Sequence, residues 1–306
     1  MATWVVVPAL NEASNLRVVI PDIAEHLLAV DGGGQILVID DGSTDDTQAV
    51  IAELQQSLPC LHVDGWRRNR GKAAALRQGF QAALDADATA IVMMDADGQD
   101  DPSELPRVLG ALSAGSDLAT GARLERNDRP VKRWTSKMYN WGTAKLSGTP
   151  GRDFNSGFKA MTPDTAAAIS PMLYGELYRY ITVIAHWLGF EVTEVPVQHH
   201  ARLHGKTKYG VNRFWRGLLD LMTVRFLMSY EHRPSHLFGG LGIISILVGL
   251  VMLAYLLIQR LTGETIGDRP MLIVAVLLVV VGVQALLFGL LAELIVYARQ
   301  RGNSAR

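Results

Sequence analysis

The sequence predicts an α/β fold: a mainly parallel sheet covered by helices on both faces, followed by an amphipathic segment and two membrane-crossing helices. Three observations predict it. Short apolar runs alternate with helical stretches through the first part of the chain. A polar cluster follows the carboxyl end of four of those runs. The C-terminal part holds two long stretches without a charged residue.

The expected strands are Thr3–Val7, Gln35–Ile39, Leu61–Val63, Ala90–Met94 and Asp117–Thr120. Between them lie the expected helices Asn15–Val30, Asp46–Ser57, Lys72–Ala86 and Ser103–Ala114. Strands that alternate with helices pair in parallel, because each crossover returns the chain to the same edge. The clusters Pro8–Glu12, Asp40–Asp45, Asp95–Asp101 and Gly121–Arg123 then share the carboxyl edge, where open α/β sheets bind ligands. Residues 125 to 210 are less regular, with a helix expected at Tyr174–Leu188 and a strand at Phe190–Val197.

Val211–Tyr230 interleaves basic residues with Phe214, Trp215, Leu218, Leu219, Leu221, Phe226 and Leu227. Such a helix suits a membrane surface, apolar face in the acyl boundary and Arg toward headgroups. Leu237–Ile258 and Met271–Ala292 carry no charge, and each exceeds the ~20 apolar residues that span a bilayer. A buried core helix keeps a polar face more often than these do. The expected division is a catalytic domain at 1–210, a juxtamembrane segment at 211–235, a two-helix hairpin at 236–298 and a tail at 299–306.

Lys206, Lys208, Arg213, Arg216, Arg225 and Arg233 precede the first span, and Arg299, Arg301 and Arg306 follow the second. The intervening loop has only Arg260 and Arg269. Because Lys and Arg concentrate on the cytoplasmic side, the large domain and the C-terminus are expected there, in the cytoplasmic membrane. Met1–Leu10 lacks a basic leader and a long apolar stretch, so no signal peptide is expected. The formal net charge of -1 gives no whole-chain sign of nucleic-acid binding. A single cysteine, Cys60, excludes a disulfide framework and a cysteine-based metal site.

The densest chemistry is Asp95-Ala96-Asp97-Gly98-Gln99-Asp100-Asp101. Carboxylates this close repel one another unless a cation is present. Asp97 and Gln99 could share a hard cation, Mg²⁺ or Mn²⁺, whose remaining ligands are phosphate and water. A solvated turn that caps the next helix through Asp101 or Ser103 explains the same residues. In Asp40-Asp41-Gly42-Ser43-Thr44-Asp45, Gly42 suits a tight turn, Ser43 or Thr44 can cap a helix, and a carboxylate can accept from a base or ribose. Gly71-Lys72, after Arg67, Arg68 and Arg70, puts positive charge at a helix start, but without the spacing of a Walker loop.

In this order, Val7-Pro8-Ala9-Leu10-Asn11-Glu12, Asp40-Asp41-Gly42-Ser43, Gly71-Lys72 and Asp95-Ala96-Asp97-Gly98-Gln99 resemble family 2 glycosyltransferases of the GT-A fold. The likeness is greater to the polyprenyl-phosphate branch, with dolichol-phosphate mannose synthases and undecaprenyl-phosphate glucosyltransferases. Gly121-Ala122-Arg123, Asn155–Lys159, Glu194–Val197, Arg202 and Gly205–Gly210 support it. The resemblance implies that Pro8, Leu10, Glu12, Ile39 and Asp41 hold the nucleotide, and that Asp95, Ala96, Asp97 and Gln99 hold metal and diphosphate. Arg123, Arg202 and Lys208 match positions that meet phosphate, and Lys132 or Arg133 could assist Arg123 and Arg202 with the acceptor phosphate.

The implied activity is inverting transfer of a hexose from a nucleotide-sugar to a polyprenyl phosphate, GDP-mannose being favoured and UDP-glucose compatible. Asp97, Arg123 and Arg202 would carry it. The implied partners are donor, lipid acceptor and membrane lipids, with no nucleic acid; a homo-oligomer is compatible with the sequence. A polysaccharide synthase of the same fold would carry a Gln-x-x-Arg-Trp motif, which is absent, and more spanning helices. A non-catalytic membrane scaffold would not need both acidic and basic clusters. The charge flanks set one test: a topology reporter fused after Arg306 should read as cytoplasmic and one inserted near Gly263 as external. The reverse pattern would overturn the orientation.

Overall fold

The computed structural model describes residues 2–30, 32–123, 138, 140–145, 147–149, 151–200, 219, 222–226, 234–263 and 270–304. They fall into two compact units, Met1–Val224 and Arg225–Arg306.

The first unit follows the expected alternation. Strand β1 (Thr3–Ala9) leads to α1 (Ala13–Leu27), β2 (Gly34–Asp40), α2 (Thr47–Ser57), β3 (Leu61–Gly65), α3 (Lys72–Asp85) and β4 (Ala90–Met93). A single 3₁₀ turn, Pro102–Glu104, opens α4 (Leu105–Ser113), and β5 (Leu118–Arg123) follows. Then come β6 (Lys159–Met161), α5 (Pro163–Ile169), α6 (Ile181–Trp187) and β7 (Val192–Val197). The sheet order is β3-β2-β1-β4-β6-β5-β7. Every strand runs parallel to β1 except β6, which pairs antiparallel with both β4 and β5.

Burial explains why the strands read as continuous apolar runs. Val5, Val6 and Val7 of β1 are all fully buried, as expected for a parallel strand covered on both faces. Val5 and Val7 join a core with Leu16, Val19, Ile20 and Ile23 of α1, Val50 and Ile51 of α2, and Leu105 and Val108 of α4. Val6 faces the other way, toward Gly79 of α3.

Two expectations needed adjustment. Tyr174–Leu188 is not one helix: Gly175 has φ +53, and a 3₁₀ turn at Leu177–Tyr180 precedes α6. The three-residue strand β6 and the seven-residue helix α5 were not foreseen, because elements this short give no readable period. Most of the segment expected at the membrane surface, Val211–Tyr230, lies outside the described residues. Within it, residues 222–226 are helical, with Leu219 and Met222 exposed.

The second unit is a hairpin of α7 (Pro234–Leu261) and α8 (Pro270–Ser304). Both helices are long and apolar enough to cross a membrane: the most apolar 18-residue stretch within Ser235–Leu261 has a mean hydropathy of 2.8, and that within Pro270–Ala298 one of 3.0. Large apolar side chains face outward, such as Val251 at 68% and Ile273 at 73% exposure, as lipid-facing residues do. The helices meet through small residues: a Cβ on Gly282 would lie 2.7 Å from the Gly242 carbonyl oxygen. Beside that contact the Ser245 hydroxyl donates to the Leu278 carbonyl at 2.7 Å. Close approach of this kind substitutes for a hydrophobic driving force that lipid cannot supply.

The seam between α3 and β1 gives a stability test. A Cβ on Gly79 would lie 2.3 Å from a Val6 methyl, whereas one on Gly110 in α4 would meet nothing within 4 Å. Gly79→Val should therefore destabilise by ~1–3 kcal/mol through overpacking. Gly110→Ala should be neutral or stabilising by up to ~1 kcal/mol through helix propensity. Thermal melts of the detergent-solubilised chain compare the two; a Gly79→Val melt equal to wild type would contradict this packing.

Candidate active site

The strand order turns at β1, whose neighbours are β2 on one side and β4 on the other. The crevice beyond the carboxyl ends of such strands is the natural ligand site of an open α/β sheet. Two loops are sewn together there. Asn11, at φ +57 just after β1, donates its N–H to the Ser43 hydroxyl at 2.9 Å, and its side-chain oxygen accepts from the Thr44 N–H at 2.8 Å. The Glu12 N–H donates to the Thr47 hydroxyl at 3.0 Å. Ser43 and Thr44 thus tie loop to loop and do not cap α2 as expected. That turn is served by Asp45, which accepts from the Thr47 N–H at 3.0 Å.

Asp41 is 4% exposed and is wrapped by the segment after β3. Its Oδ1 accepts from Trp66 Nε1 at 2.7 Å and from the Arg70 N–H at 2.7 Å; its Oδ2 accepts from the Gly71 N–H at 2.9 Å. The Arg70 guanidinium lies 4.9 Å from the Trp66 ring centre. Gly42, at φ +78, lets this segment lie flush, since a Cβ there would come within 2.7 Å of the Asn69 nitrogen.

Beyond β4, Asp95 pairs with Lys72 at the start of α3. Burial works against both charges, yet each partner's field wins: Lys72 is held above the ordinary lysine value and Asp95 below the ordinary carboxylate value. The Lys72 ammonium also lies 5.1 Å from the centre of the Tyr178 ring. Asp97, 8% exposed, accepts from the Gln99 N–H at 3.2 Å. Asp101 accepts from the Ser103 N–H at 2.9 Å and opens the turn into α4, as one reading of the sequence had it.

Arg123, at the end of β5, makes a two-pronged contact with Asp153: Nε donates at 2.6 Å and Nη2 at 2.9 Å. Burial opposes its charge and Asp153 more than compensates, holding the guanidinium above its ordinary value. The sequence led to the expectation of Arg123 as a phosphate contact but not to this partner. Beneath lies Lys159, 1% exposed, whose ammonium donates to the Ser156 carbonyl at 2.5 Å. Burial pushes Lys159 down to about 8, although Asp153, Asp100 and Asp95 favour its charge.

The segment after β7 closes onto the acidic loop. Asp100 and His199 form an antiparallel bridge, the His200 N–H donates to the Gln99 carbonyl at 2.8 Å, and the His200 ring meets Asp101 at 2.9 Å. The Gln198 N–H donates to Glu104 at 3.1 Å.

Of the residues proposed from sequence, Pro8, Leu10, Glu12, Ile39, Asp41, Asp95, Ala96, Asp97, Gln99 and Arg123 therefore all come from the carboxyl ends of β1, β2, β4 and β5. Pro8, Leu10 and Glu12 are half-buried, and Ile39 and Ala96 are buried. Lys132, Arg133, Arg202 and Lys208 lie outside the described residues. Sequence reasoning singled out none of Asp153, Trp66 and His200, and it gave no separate role to Asp100 or Lys159, which stood in the quoted Asp95–Asp101 and Asn155–Lys159 segments. Asp153 had a local signal too, a carboxylate just before the second of these.

The donor set fits a hard divalent cation. Asp97 offers a carboxylate and Gln99 an amide oxygen on one turn, and no group of three His, Cys, Asp or Glu side chains forms a cage among the described residues. Mg²⁺ and Mn²⁺ suit such a site, taking few protein oxygens and completing their shell with phosphate and water.

Comparison with known proteins agrees with this fold. The family model of glycosyl transferase family 2 matches residues 4–171. Dodecaprenyl-phosphate galacturonate synthase from Rhizobium johnstonii is 31% identical, over 98% of this chain and 89% of its own. Undecaprenyl-phosphate 4-deoxy-4-formamido-L-arabinose transferase from Pseudomonas syringae is 28% identical, over 94% of this chain and 84% of its own. Among solved structures, glucosyl-3-phosphoglycerate synthase from Mycobacterium tuberculosis, in complex with Mn²⁺ and UDP-glucose, aligns with a TM-score of 0.52 at 20% identity, over 73% of this chain and 78% of its own. A mannosyltransferase from Pyrobaculum calidifontis, in complex with GDP-mannose and Mn²⁺, aligns with a TM-score of 0.53 at 15% identity, over 99% of this chain and 79% of its own. At these identities the two structures show the GT-A-like fold and no more.

The buried lysine gives a pH test. An unfolded Lys159 titrates near the ordinary 10.5 and the folded one near 8. Between those values the unfolded chain binds more protons, so this residue's contribution to stability rises with pH. Denaturant unfolding at pH 7.5 and 9.5, wild type against Lys159→Met, should show wild type gaining relative to the variant at the higher pH; the opposite slope would contradict it.

Proposed function

The chain belongs to glycosyl transferase family 2, and on that premise we propose that it transfers a sugar from a nucleotide-sugar to a polyprenyl phosphate. The observation that carries this reading is the meeting, at one sheet edge, of a buried Asp41 with Asp95, Asp97 and Gln99, in a chain that also has two membrane-length apolar helices. The relatives' names support the lipid acceptor. They name galacturonate and formamido-arabinose as sugars, so the expectation of GDP-mannose gains no support from them. A uronic acid or amino-sugar is the better-supported donor class.

In this reading 1–210 is the catalytic domain, 211–235 meets the membrane surface, 236–298 anchors the chain and 299–306 is a tail. The catalytic domain faces the cytoplasm, where nucleotide-sugars are made. Pro8, Leu10, Glu12, Ile39 and Asp41 line the nucleoside, and Asp95 with Ala96 flanks the ribose and diphosphate. Asp97 and Gln99 hold Mg²⁺ or Mn²⁺, as the Mn²⁺ in solved relatives of this fold encourages. A divalent cation bound there neutralises charge on the departing nucleoside diphosphate.

The acceptor needs no general base, because a lipid phosphate is already an anion at neutral pH. The protein must instead hold two anions in line, which is positioning work. A guanidinium has five N–H donors, of which Asp153 takes two from Arg123, so this side chain keeps donors for a phosphate while its orientation is locked. Arg202, Lys208 and one of Lys132 or Arg133 complete the phosphate-holding set. The phosphate oxygen attacks the anomeric carbon, the bond to the diphosphate breaks, and the configuration inverts.

The test is a panel of nucleotide-sugars, including uronic acid and amino-sugar donors, with undecaprenyl phosphate and purified chain, the lipid product being weighed. One donor should give a lipid heavier by one sugar. Asp97→Ala should lower the rate at least ~100-fold, the loss of a transition-state charge contact, while the melting temperature stays near wild type. Chelation should do the same, with recovery on adding Mg²⁺ or Mn²⁺. Full transfer in chelator, or by Asp97→Ala, would sink the proposal.

A further inference from the structure

Asp41 is short of acceptor sites. A carboxylate offers about four lone-pair positions, two on each oxygen. Oδ1 already accepts two donors, Trp66 Nε1 and the Arg70 N–H, and Oδ2 accepts one, the Gly71 N–H. One position remains, on Oδ2. The carboxylate is only 4% exposed, and Gly42 packs flush against Arg68 and Asn69, so it cannot turn to present another edge without breaking the segment that covers it.

We infer that Trp66, by occupying Oδ1 of Asp41, selects a uracil nucleotide over a guanine nucleotide as the donor. The inference rests on the proposed role of Asp41 in holding the base. Guanine presents two adjacent donors, N1–H and N2–H, which a carboxylate receives as a fork, one on each oxygen. With Oδ1 filled, one of those donors would be buried unpaired. A site rejects a ligand strongly when a buried polar group goes unsatisfied. Uracil presents a single N–H, at N3, between two carbonyls. One acceptor is what it needs, and the exposed Arg67, Arg68 and Arg70 on the same segment carry N–H donors suited to carbonyl oxygens. Trp66 is thus a positioning residue: it acts on base choice through Asp41.

The experiment is calorimetric binding of UDP, GDP, CDP and ADP, each with Mn²⁺, to the full detergent-solubilised chain. UDP should bind best, ahead of GDP by about tenfold or more, which is ~1.4 kcal/mol. Trp66→Phe keeps an aromatic ring but returns a lone pair on Oδ1, so the GDP-to-UDP gap should narrow. A purely structural loss would weaken both nucleotides alike and leave the gap unchanged. GDP, CDP or ADP binding as tightly as UDP in wild type would overturn the inference whether or not Trp66→Phe folds, and an unchanged gap in a folded Trp66→Phe would do so too. Asp41→Ala separates this from the underlying reading: if no nucleotide loses affinity in that variant, Asp41 does not hold the base and the nucleotide reading itself fails.

Discussion

The working edge of this sheet depends on a set of compensated buried charges. Asp95, Asp100 and Asp153 crowd the ends of β4 and the approach to β6, where they would repel one another in a water-poor setting. Lys72, Arg123 and Lys159 stand among them, reaching in from α3, β5 and β6. Removing Arg123 would typically cost ~3–5 kcal/mol, because Asp153 is left charged and buried, whereas the partly exposed Lys72–Asp95 pair is worth less. The pairs tie the start of α3 to the loop after β4 and the end of β5 to Asp153.

Local hydrogen bonds then carry this arrangement outward. The loop after β1 is sewn to the loop after β2 through Asn11, and the segment after β3 is drawn over the edge by Asp41. The segment after β7 is fastened to the acidic loop through Asp100, Gln99 and Asp101.

Much of this was legible in the sequence. The strands of the parallel core are apolar on both faces, so Val5–Val7 and Ile36–Ile39 stand out as uninterrupted runs. The acidic clusters stand out because they follow those runs at once, and the membrane-length helices because charge disappears for longer than a soluble helix allows. What escaped notice was long-range or too short to pattern. The pairing of Arg123 with Asp153 spans 30 residues, and that of Trp66 with Asp41 spans 25. No local periodicity announces either. Strand β6 has three residues and reverses direction, and nothing in the Asn155–Lys159 segment announces that Lys159 is buried. Ser43 and Thr44 were read as caps because their type favours it; the neighbouring loop claimed them instead, which only the fold could reveal.

Under the proposed reading, this edge receives a divalent cation carried with a nucleoside diphosphate. Electron paramagnetic resonance of Mn²⁺ tests it most directly. When wild-type chain and UDP are present together, the signal of free Mn²⁺ should fall stoichiometrically, far more than with either alone, and Asp97→Asn should abolish the effect. Equal uptake of Mn²⁺ by wild type and Asp97→Asn, or uptake indifferent to UDP, would contradict the account.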